Sequence, residues 1–570
     1  MSDLLGHPAP LSPLPTSASK GSASKGSSAS LRVPVDRKRT VLIALTGIWL
    51  ALSVLSLRFI GFSPRAIIDG FRASGYLGRA LPPSFEGWQN SIGLVLRTFL
   101  MAVAGTGLAG ILSIPFAFLS ARSTSPHPFI SSVARTFIVA TRAIPDLIFA
   151  IFFVAALSIG ELPGVLALGV HSIGMLAKLL ADAIEETDFG PHDAALAAGA
   201  TRSQAIMNAV VPQVTAGYLS SLLYRLDVNT RVSVVLGFVG AGGIGQELRA
   251  NLRNPLRYPV GIGQAILVFV LILLVDRVAL RARKALDGAS QVRAEEREPS
   301  SEHVVPMPLS ARLRPPWTRD RKVLGSIGAI LGFGFVWSCY EVGLNPASFV
   351  GALIKSASTL GRFLPPDFTT FRDPIITGFK ETLALGIAST FIGFMAAIPF
   401  SLLVARNTSP NRIVGGIARI VQVVLRAIPE LVIVLFFVSA VGLGPLPGAV
   451  ALSIGAFGLS SKLLADAIET LPDGPLEGIS VSGATRFQKI ASGVVPATIP
   501  TLVANGLYCF DVNIRSSSVL GIVGAGGIGR VLDETLAVLQ YGTVSAVIIG
   551  IFAIVMLIEF GSVRIRRMLQ

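Results

Sequence analysis

Lys178-Leu179-Leu180-Ala181-Asp182-Ala183-Ile184-Glu185 returns unchanged, 284 residues on, as Lys462-Leu463-Leu464-Ala465-Asp466-Ala467-Ile468-Glu469. Upstream, Arg142-Ala143-Ile144-Pro145-Asp146-Leu147 returns as Arg426-Ala427-Ile428-Pro429-Glu430-Leu431 at the same displacement. Downstream, Gly199-Ala200-Thr201-Arg202 returns as Gly483 to Arg486, and Gly240-Ala241-Gly242-Gly243-Ile244-Gly245 as Gly524 to Gly529. An earlier match, Leu77-Gly78-Arg79 with Leu360-Gly361-Arg362, is displaced by 283, so only small gaps separate the copies. A fixed period of this kind is to be settled before any fold is assigned. The chain is two tandem copies of one unit.

The copies are too apolar for water. Of 570 residues, 52% are hydrophobic and 14% charged, against about 25% charged in soluble domains. A helix crossing a bilayer core needs about 20 mainly apolar residues. Candidates fall near 41–60, 92–120, 128–158 (broken at Ile144-Pro145), 163–186, 214–240 and 259–280. The second half offers 323–342, 376–404, 412–442, 447–470, 498–524 and 543–563. The expectation is an all-α integral membrane protein of about twelve transmembrane helices in two six-helix repeats. An even number of spans per copy makes the repeats parallel, related by an axis along the membrane normal, with a translocation path between them.

The formal charge of +15 is concentrated before the first span (Lys20, Lys25, Arg32, Arg37, Lys38, Arg39), between the halves (Arg277 to Lys322) and at the end (Arg564, Arg566, Arg567). Lys and Arg flanking apolar spans mark the cytoplasmic side, so both termini are expected there, in a multi-pass protein of the cell (inner) membrane in contact with lipid. No basic segment is interleaved with aromatics, so nucleic acid is not an expected partner. The expected organisation is a disordered tail over 1–38, rich in Ser, Pro, Ala and Lys; a first repeat over 39–280; a charged, Pro-rich cytoplasmic linker over 281–321; and a second repeat over 322–570.

Chemistry-bearing patterns are few. Cys339 and Cys509 are isolated, the five histidines are scattered, and neither a Walker A loop nor His-Glu-x-x-His occurs. No catalytic residue, metal or cofactor is expected, and the chain has no recognisable ATP-hydrolysing loop of its own. Gly240-x-Gly242-x-x-Gly245 imitates a dinucleotide fingerprint and would suit a membrane oxidoreductase, but no βαβ alternation surrounds it. A glycine-rich break in a membrane segment is preferred. Lys178, Asp182 and Glu185 share a helix face, as do Lys462, Asp466 and Glu469, either as internal ion pairs or as substrate contacts. Arg142, Arg426, Arg231 and Arg515 either line the path in pairs, as guanidinium forks suit oxyanions, or anchor helix ends. The Leu-Pro-Pro segments over 63–89 and 345–372 carry aromatics (Phe85, Trp88; Phe368, Phe371) and are expected outside the membrane, shaping a binding-protein surface or resting on lipid.

A polar break separates the fourth and fifth spans. It reads Asp193-Ala194-Ala195, then Gly199, then Val211-Pro212, and in the second copy Glu477-Gly478-Ile479, Gly483 and Val495-Pro496. This resembles the cytoplasmic loop of ABC-importer permeases, and two instances in register strengthen the likeness. Tyr224-Arg225-Leu226-Asp227-Val228-Asn229-Thr230-Arg231, the Arg-Ala-Ile-Pro motif, the Lys-Leu-Leu-Ala helix and the glycine run look like the phosphonate-importer branch, over about 90–280 and 374–563. The resemblance implies a type I ABC-importer permease fold with no enzymatic activity of its own. It implies docking of two copies of a separate ATPase on Asp193, Ala194, Ala195, Gly199 and Pro212 and on Glu477, Gly483 and Pro496. It further implies an external phosphonate-binding protein and a substrate among phosphonates, phosphate or phosphate esters. Members usually pair as homodimers of one copy each, so the fused double copy implies that no second permease chain is required. Asp193 departs from the usual Glu, and Gly478-Ile479 from Ala-Ala, which makes the two docking loops unequal. A permease for another small solute and a secondary transporter are the alternatives.

Overall fold

The computed structural model describes residues 37–295 and 318–569, and every regular element among them is helical. The expected tail before Arg37 and the Pro-rich stretch 296–317 lie outside the described residues. The described residues up to Ile48, the start of the helix Arg37–Phe59, belong to one unit, and those from Trp49 onward form the other. Helix Tyr258–Glu295 continues well into the segment expected to be linker.

Nine helices among the described residues are long and apolar enough to cross a membrane, and two bent pairs bring the number to 11. The bends are the expected proline breaks. Pro128–Ala143 meets Asp146–Leu157 at 89°, and Arg412–Ala427 meets Glu430–Val441 at 83°. Ile144 and Ile428 are extended, as residues before proline are pushed to be, and the helices restart at Asp146 and Glu430. Helix Val211–Leu236 is equally long at 26 residues but is not among the apolar eleven. Arg225, Asp227 and Arg231 lower its hydropathy, while its counterpart Val495–Leu520 carries Cys509 at the place of Arg225.

The two copies are interlaced. In the second unit Trp49 packs edge-on against Phe391 of the second copy at 5.4 Å, and Ile60 joins Ala384, Leu385, Ala388 and Ala449 in one buried cluster. Reciprocally, Phe335 lies so close to Gly107 that a Cβ there would stand 2.2 Å from its ring. Helix Pro64–Ser74 leans on Glu430–Val441 through Phe71, 5.5 Å from Phe436. Phe363, just past helix Pro346–Leu360, meets Phe152 of the first copy at 5.5 Å. The largest apolar core draws on both copies, with Leu147, Val165 and Leu236 beside Val434, Leu452 and Val531. In a bilayer no hydrophobic effect draws these helices together, so it is close packing and the hydrogen bonds between the copies that hold the shared core.

Candidate functional site

Each polar break folds as a short helix, a glycine turn and a capped restart. In the first copy the helix Gly190–Ala197 presents Asp193 and Ala194 to solvent, with Ala195 partly covered. Gly199 then takes φ +88°, a left-handed conformation that disfavours any side chain. Thr201 and Gln204 form a reciprocal capping box, and a π-helical turn, Ile206–Val210, leads into the span, with Pro212 in its first turn. The second copy repeats every step: Asp473–Val481 with Glu477 and Gly478 exposed, Gly483 at φ +83°, Thr485 boxed with Gln488, the turn Ile490–Val494, and Pro496. Arg202 and Arg486 clamp the loops by donating to the carbonyls of Ser125 (3.1 Å) and Thr408 (2.7 Å).

The faces they present differ. His192 is buried beneath the first helix, its Nδ1 3.0 Å from the Asp193 carboxylate, whereas Leu476 fills that place in the second. The second loop exposes Val481 and Phe487, at 88% and 79%, where the first has Ala197 and Ser203.

Of the charges expected inside the membrane, Lys178 pairs with Asp182 and Lys462 with Asp466, all about half exposed. Glu185 does not join the first pair. It accepts from the Arg122 backbone at 2.9 Å and from Arg135 at 2.6 Å, and Glu469 does the same with Arg406 and Arg419. These glutamates tie the end of one span to the loop of another. The four arginines sit among carboxylates, partly across the copies. Arg231 is bidentate on Asp227 at 2.9 and 3.0 Å, and Arg515 pairs with Asp511. Arg142 is 4.0 Å from Glu559 of the other copy, and Arg426 acts electrostatically on Asp227. Tyr224 and its counterpart Tyr508 lie within electrostatic reach of one another and are each a little over 40% exposed, so the two copies meet at this level.

A more deeply buried cation stands beside Tyr224. Arg225 is 5% exposed. Its Nε donates to Ser172 Oγ at 2.8 Å, and Asn229 Nδ2 donates to Thr106 Oγ1 at 2.9 Å and to Ser172 Oγ at 3.0 Å. The Nη2 of Arg225 and the Nδ1 of His171 are buried without a hydrogen-bond partner. Sequence reasoning passed over this pair, because it sought residues present in both copies. The available signal was the reverse, a cation at 225 and an imidazole at 171 where the second copy has Cys509 and Gly455.

At the far end of the spans the glycine run turns the chain from Val211–Leu236 into the short helix Gly245–Arg253. Gly245 is required sterically, since a Cβ there would lie 2.1 Å from the Val234 carbonyl oxygen. Thr98 Oγ1 accepts from Ile244 N at 2.9 Å, and Thr382 does so from Ile528 at 2.8 Å. The run therefore serves helix packing, and no strand adjoins it among the described residues. Arg249 bridges the copies here: it donates to Phe238 O of its own copy at 2.6 Å and to Ile522 O of the other at 3.2 Å, and stands 3.7 Å from Asp533. Asp533 is the residue that occupies position 249 in the second copy.

Two packed copies, paired capped loops at one end and a glycine-built closure at the other define a membrane permease. The family model for the inner-membrane component of binding-protein-dependent transport systems matches residues 113–287 and again 397–569, and the chain belongs to that family, as a multi-pass permease of the inner membrane that works with separate ATPase subunits. The chain is 41% identical over 508 residues to the phosphate-import permease protein PhnE of Mycolicibacterium smegmatis, covering 89% of this chain and 91% of that one. It is 45% identical over 207 residues to the phosphite transport system permease protein PtxC of Stutzerimonas stutzeri (36% of this chain, 75% of that one). It is 42% identical over 117 residues to the putative cryptic phosphonate transport system permease protein PhnE2 of Escherichia coli (20% and 96%).

Proposed function

We propose that this chain is the complete membrane-spanning part of an ATP-driven importer of phosphonates, with phosphate or phosphate esters as further substrates. The observation that carries the proposal is the 41% identity along nearly the whole of a phosphate-import permease, both copies included. Residues 39–280 and 322–570 act as the two halves, and the first spans, each packed on the other copy, take the place of a homodimer contact. Two ATPase subunits dock on Asp193, Ala194, Ala195, Gly199 and Pro212 and on Glu477, Gly483 and Pro496. An external binding protein delivers the oxyanion, and both termini face the cytoplasm with the linker.

The geometry supports a mechanism. The Gly199 and Gly483 turns hold each docking helix rigidly to the next span through a capping box, so closure of the ATPase pair is transmitted to Val211–Leu236 and Val495–Leu520. Those helices carry the arginine–aspartate pairs and meet at Tyr224 and Tyr508, so their separation opens the path on the axis. Arg142, Arg426, Arg231, Arg515, Lys178 and Lys462 give that path its charge, and their carboxylate partners keep it close to neutral until an anion exchanges for them.

The test is uptake of labelled methylphosphonate by phosphate-starved cells with and without the chain, with unlabelled phosphate as competitor. Chain-dependent uptake that phosphate suppresses is expected, together with copurification of an ATPase. Uptake unchanged on deletion would refute the substrate class. A purified chain that carries phosphonate without any ATPase would instead favour a secondary transporter.

A further inference from the structure

The two copies use one helix pair to build opposite interiors. In the second copy, Asn513 Nδ2 donates to Ser389 Oγ at 3.2 Å and Thr390 Oγ1 at 2.9 Å, which joins the same two helices that Asn229 and Thr106 join in the first. That packing is achieved with Cys509, 0% exposed, and Gly455 at the places of Arg225 and His171. The space of the missing imidazole is taken by the longer Glu430, whose Oε1 would lie 2.6 Å from a Cβ on Gly455. The fold therefore needs neither the guanidinium nor the imidazole. A buried cation is expensive unless something answers its charge, and this one has no carboxylate within 4.0 Å among the described residues. The nearby Asp146 directs its Oδ1 to the Leu147 amide at 2.8 Å.

The donor set is specific. Arg225 offers Nη2 as a free N–H donor. His171 Nδ1 is buried without a partner and is an acceptor in the neutral tautomer that carries its proton on Nε2. His171 lies within electrostatic reach of Arg225, Asp146 and Arg515, and Arg225 within reach of Asp146, so an anion entering here would compete with the Asp146 carboxylate for the guanidinium. Arg225 is 14 residues beyond Val211, about 21 Å along a helix, which is near mid-membrane. A donor beside an acceptor fits a tetrahedral oxyanion that still carries one proton.

We propose that Arg225 and His171 form an occluded subsite, in the first copy only, for a monoprotonated phosphonate or phosphate, with an ionised oxygen on Arg225 Nη2 and the P–OH on His171 Nδ1. The proposal rests on the oxyanion-import function above and names where in the chain the anion is held. The subsite opens only as the helices around Tyr224 and Tyr508 part, so the anion enters after release from the binding protein and leaves as the opposite end opens. With Arg225 in the first copy and Cys509 at its place in the second, a single anion per cycle has a single place to stop.

The test uses the full chain with its ATPase and binding protein in proteoliposomes, and reads labelled methylphosphonate moved per ATP hydrolysed. Arg225→Met should lower that ratio about ten-fold, the order expected for one charged hydrogen bond. Arg225→Lys should recover part of it, and Cys509→Ala should leave it unchanged. A ratio for Arg225→Met above half that of the wild type would overturn the subsite. So would Met and Lys variants that lose transport and hydrolysis in step, which marks a packing role. If the wild-type chain moves neither methylphosphonate nor phosphate, the function proposed above fails instead, whatever the variants do.

Discussion

Helices Val211–Leu236 and Val495–Leu520 occupy equivalent places and reach equivalent partners, but one buries an arginine and the other a cysteine. The capped loops at their feet show the same pattern of shared geometry and different surfaces, with Ala197 and Ser203 in one at the places of Val481 and Phe487 in the other. The axis itself pairs Arg249 with Asp533, its own counterpart, a contact that two identical subunits could not make. Two copies on one chain can each lose what the other supplies. Positions that stay the same report what the architecture needs, and positions that differ report division of labour.

The comparison breaks most readily at the loops proposed to dock the ATPases. Replacing Gly199 and Gly483 together by Val forces a β-branched residue to positive φ at both turns, at a cost of about 1–2 kcal/mol or more each, and uptake should fall to background with the chain still in the membrane. The single replacements sharpen it: unequal losses in an uptake assay are expected from the different exposed faces, and equal losses would show that the faces do not matter.

A smaller effect is expected in the buried networks. Asn229→Leu takes from the Ser172 hydroxyl its acceptor while Thr106 keeps the Ala102 carbonyl, and because Ser172 also holds the buried Arg225 it should cost about 2 kcal/mol. Asn513→Leu strands only two hydroxyls that already bond to the Gly386 carbonyl, and should cost about 1 kcal/mol. Thermal unfolding of the detergent-solubilised chain would compare the two, and equal shifts would contradict a special first-copy interior.

The axis pair is expected to contribute less. Asp533 is half exposed, so a double-mutant cycle of Arg249→Ala with Asp533→Ala should give a coupling of about 0.5 kcal/mol. A coupling several times larger would mark it as a principal latch between the copies.

The smallest difference depends on pH. Asp367, in the loop before the helix Arg372–Val404, accepts from the Thr369 side chain and amide and from Thr370, and these bonds hold its carboxyl well below the usual carboxylate range. Its folded pKa is depressed, so its contribution is present above the unfolded pKa of about 4 and is lost as pH falls below that value. The first copy has Ser84 at this place, which makes the same backbone contact to Pro259 that Asp367 makes to Gly542. Amide exchange, normalised for its intrinsic pH dependence, should rise at Thr369 and Thr370 in acid while Glu86 stays level.

Much of this was legible in the sequence because repetition and apolar length are local properties. The 284-residue displacement, the proline breaks after Ile144 and Ile428 and the glycine turn after each short loop helix each follow from a few adjacent residues, and all appear in the fold. Glu185 was less legible. Its spacing from Asp182 suggested one charged face, but the backbone of Arg122 and the side chain of Arg135 approach from other elements and claim it. Helix Val211–Leu236 shows the same limit, because its polar residues are accommodated by Ser172, Thr106 and Asp276 on helices distant in sequence.

The sequence by itself determined that the chain is a helical membrane protein, that it is two copies of one unit and where each copy turns, since period, hydropathy and backbone-restricting residues act within a few turns of chain. Only the tertiary structure decided that the first spans cross to the other copy, that Arg249 meets Asp533, and that Arg225 and His171 keep buried polar atoms without partners. Those facts depend on which surfaces approach across hundreds of residues. Burial and the low dielectric that gives a buried charge its meaning exist only once the copies have packed.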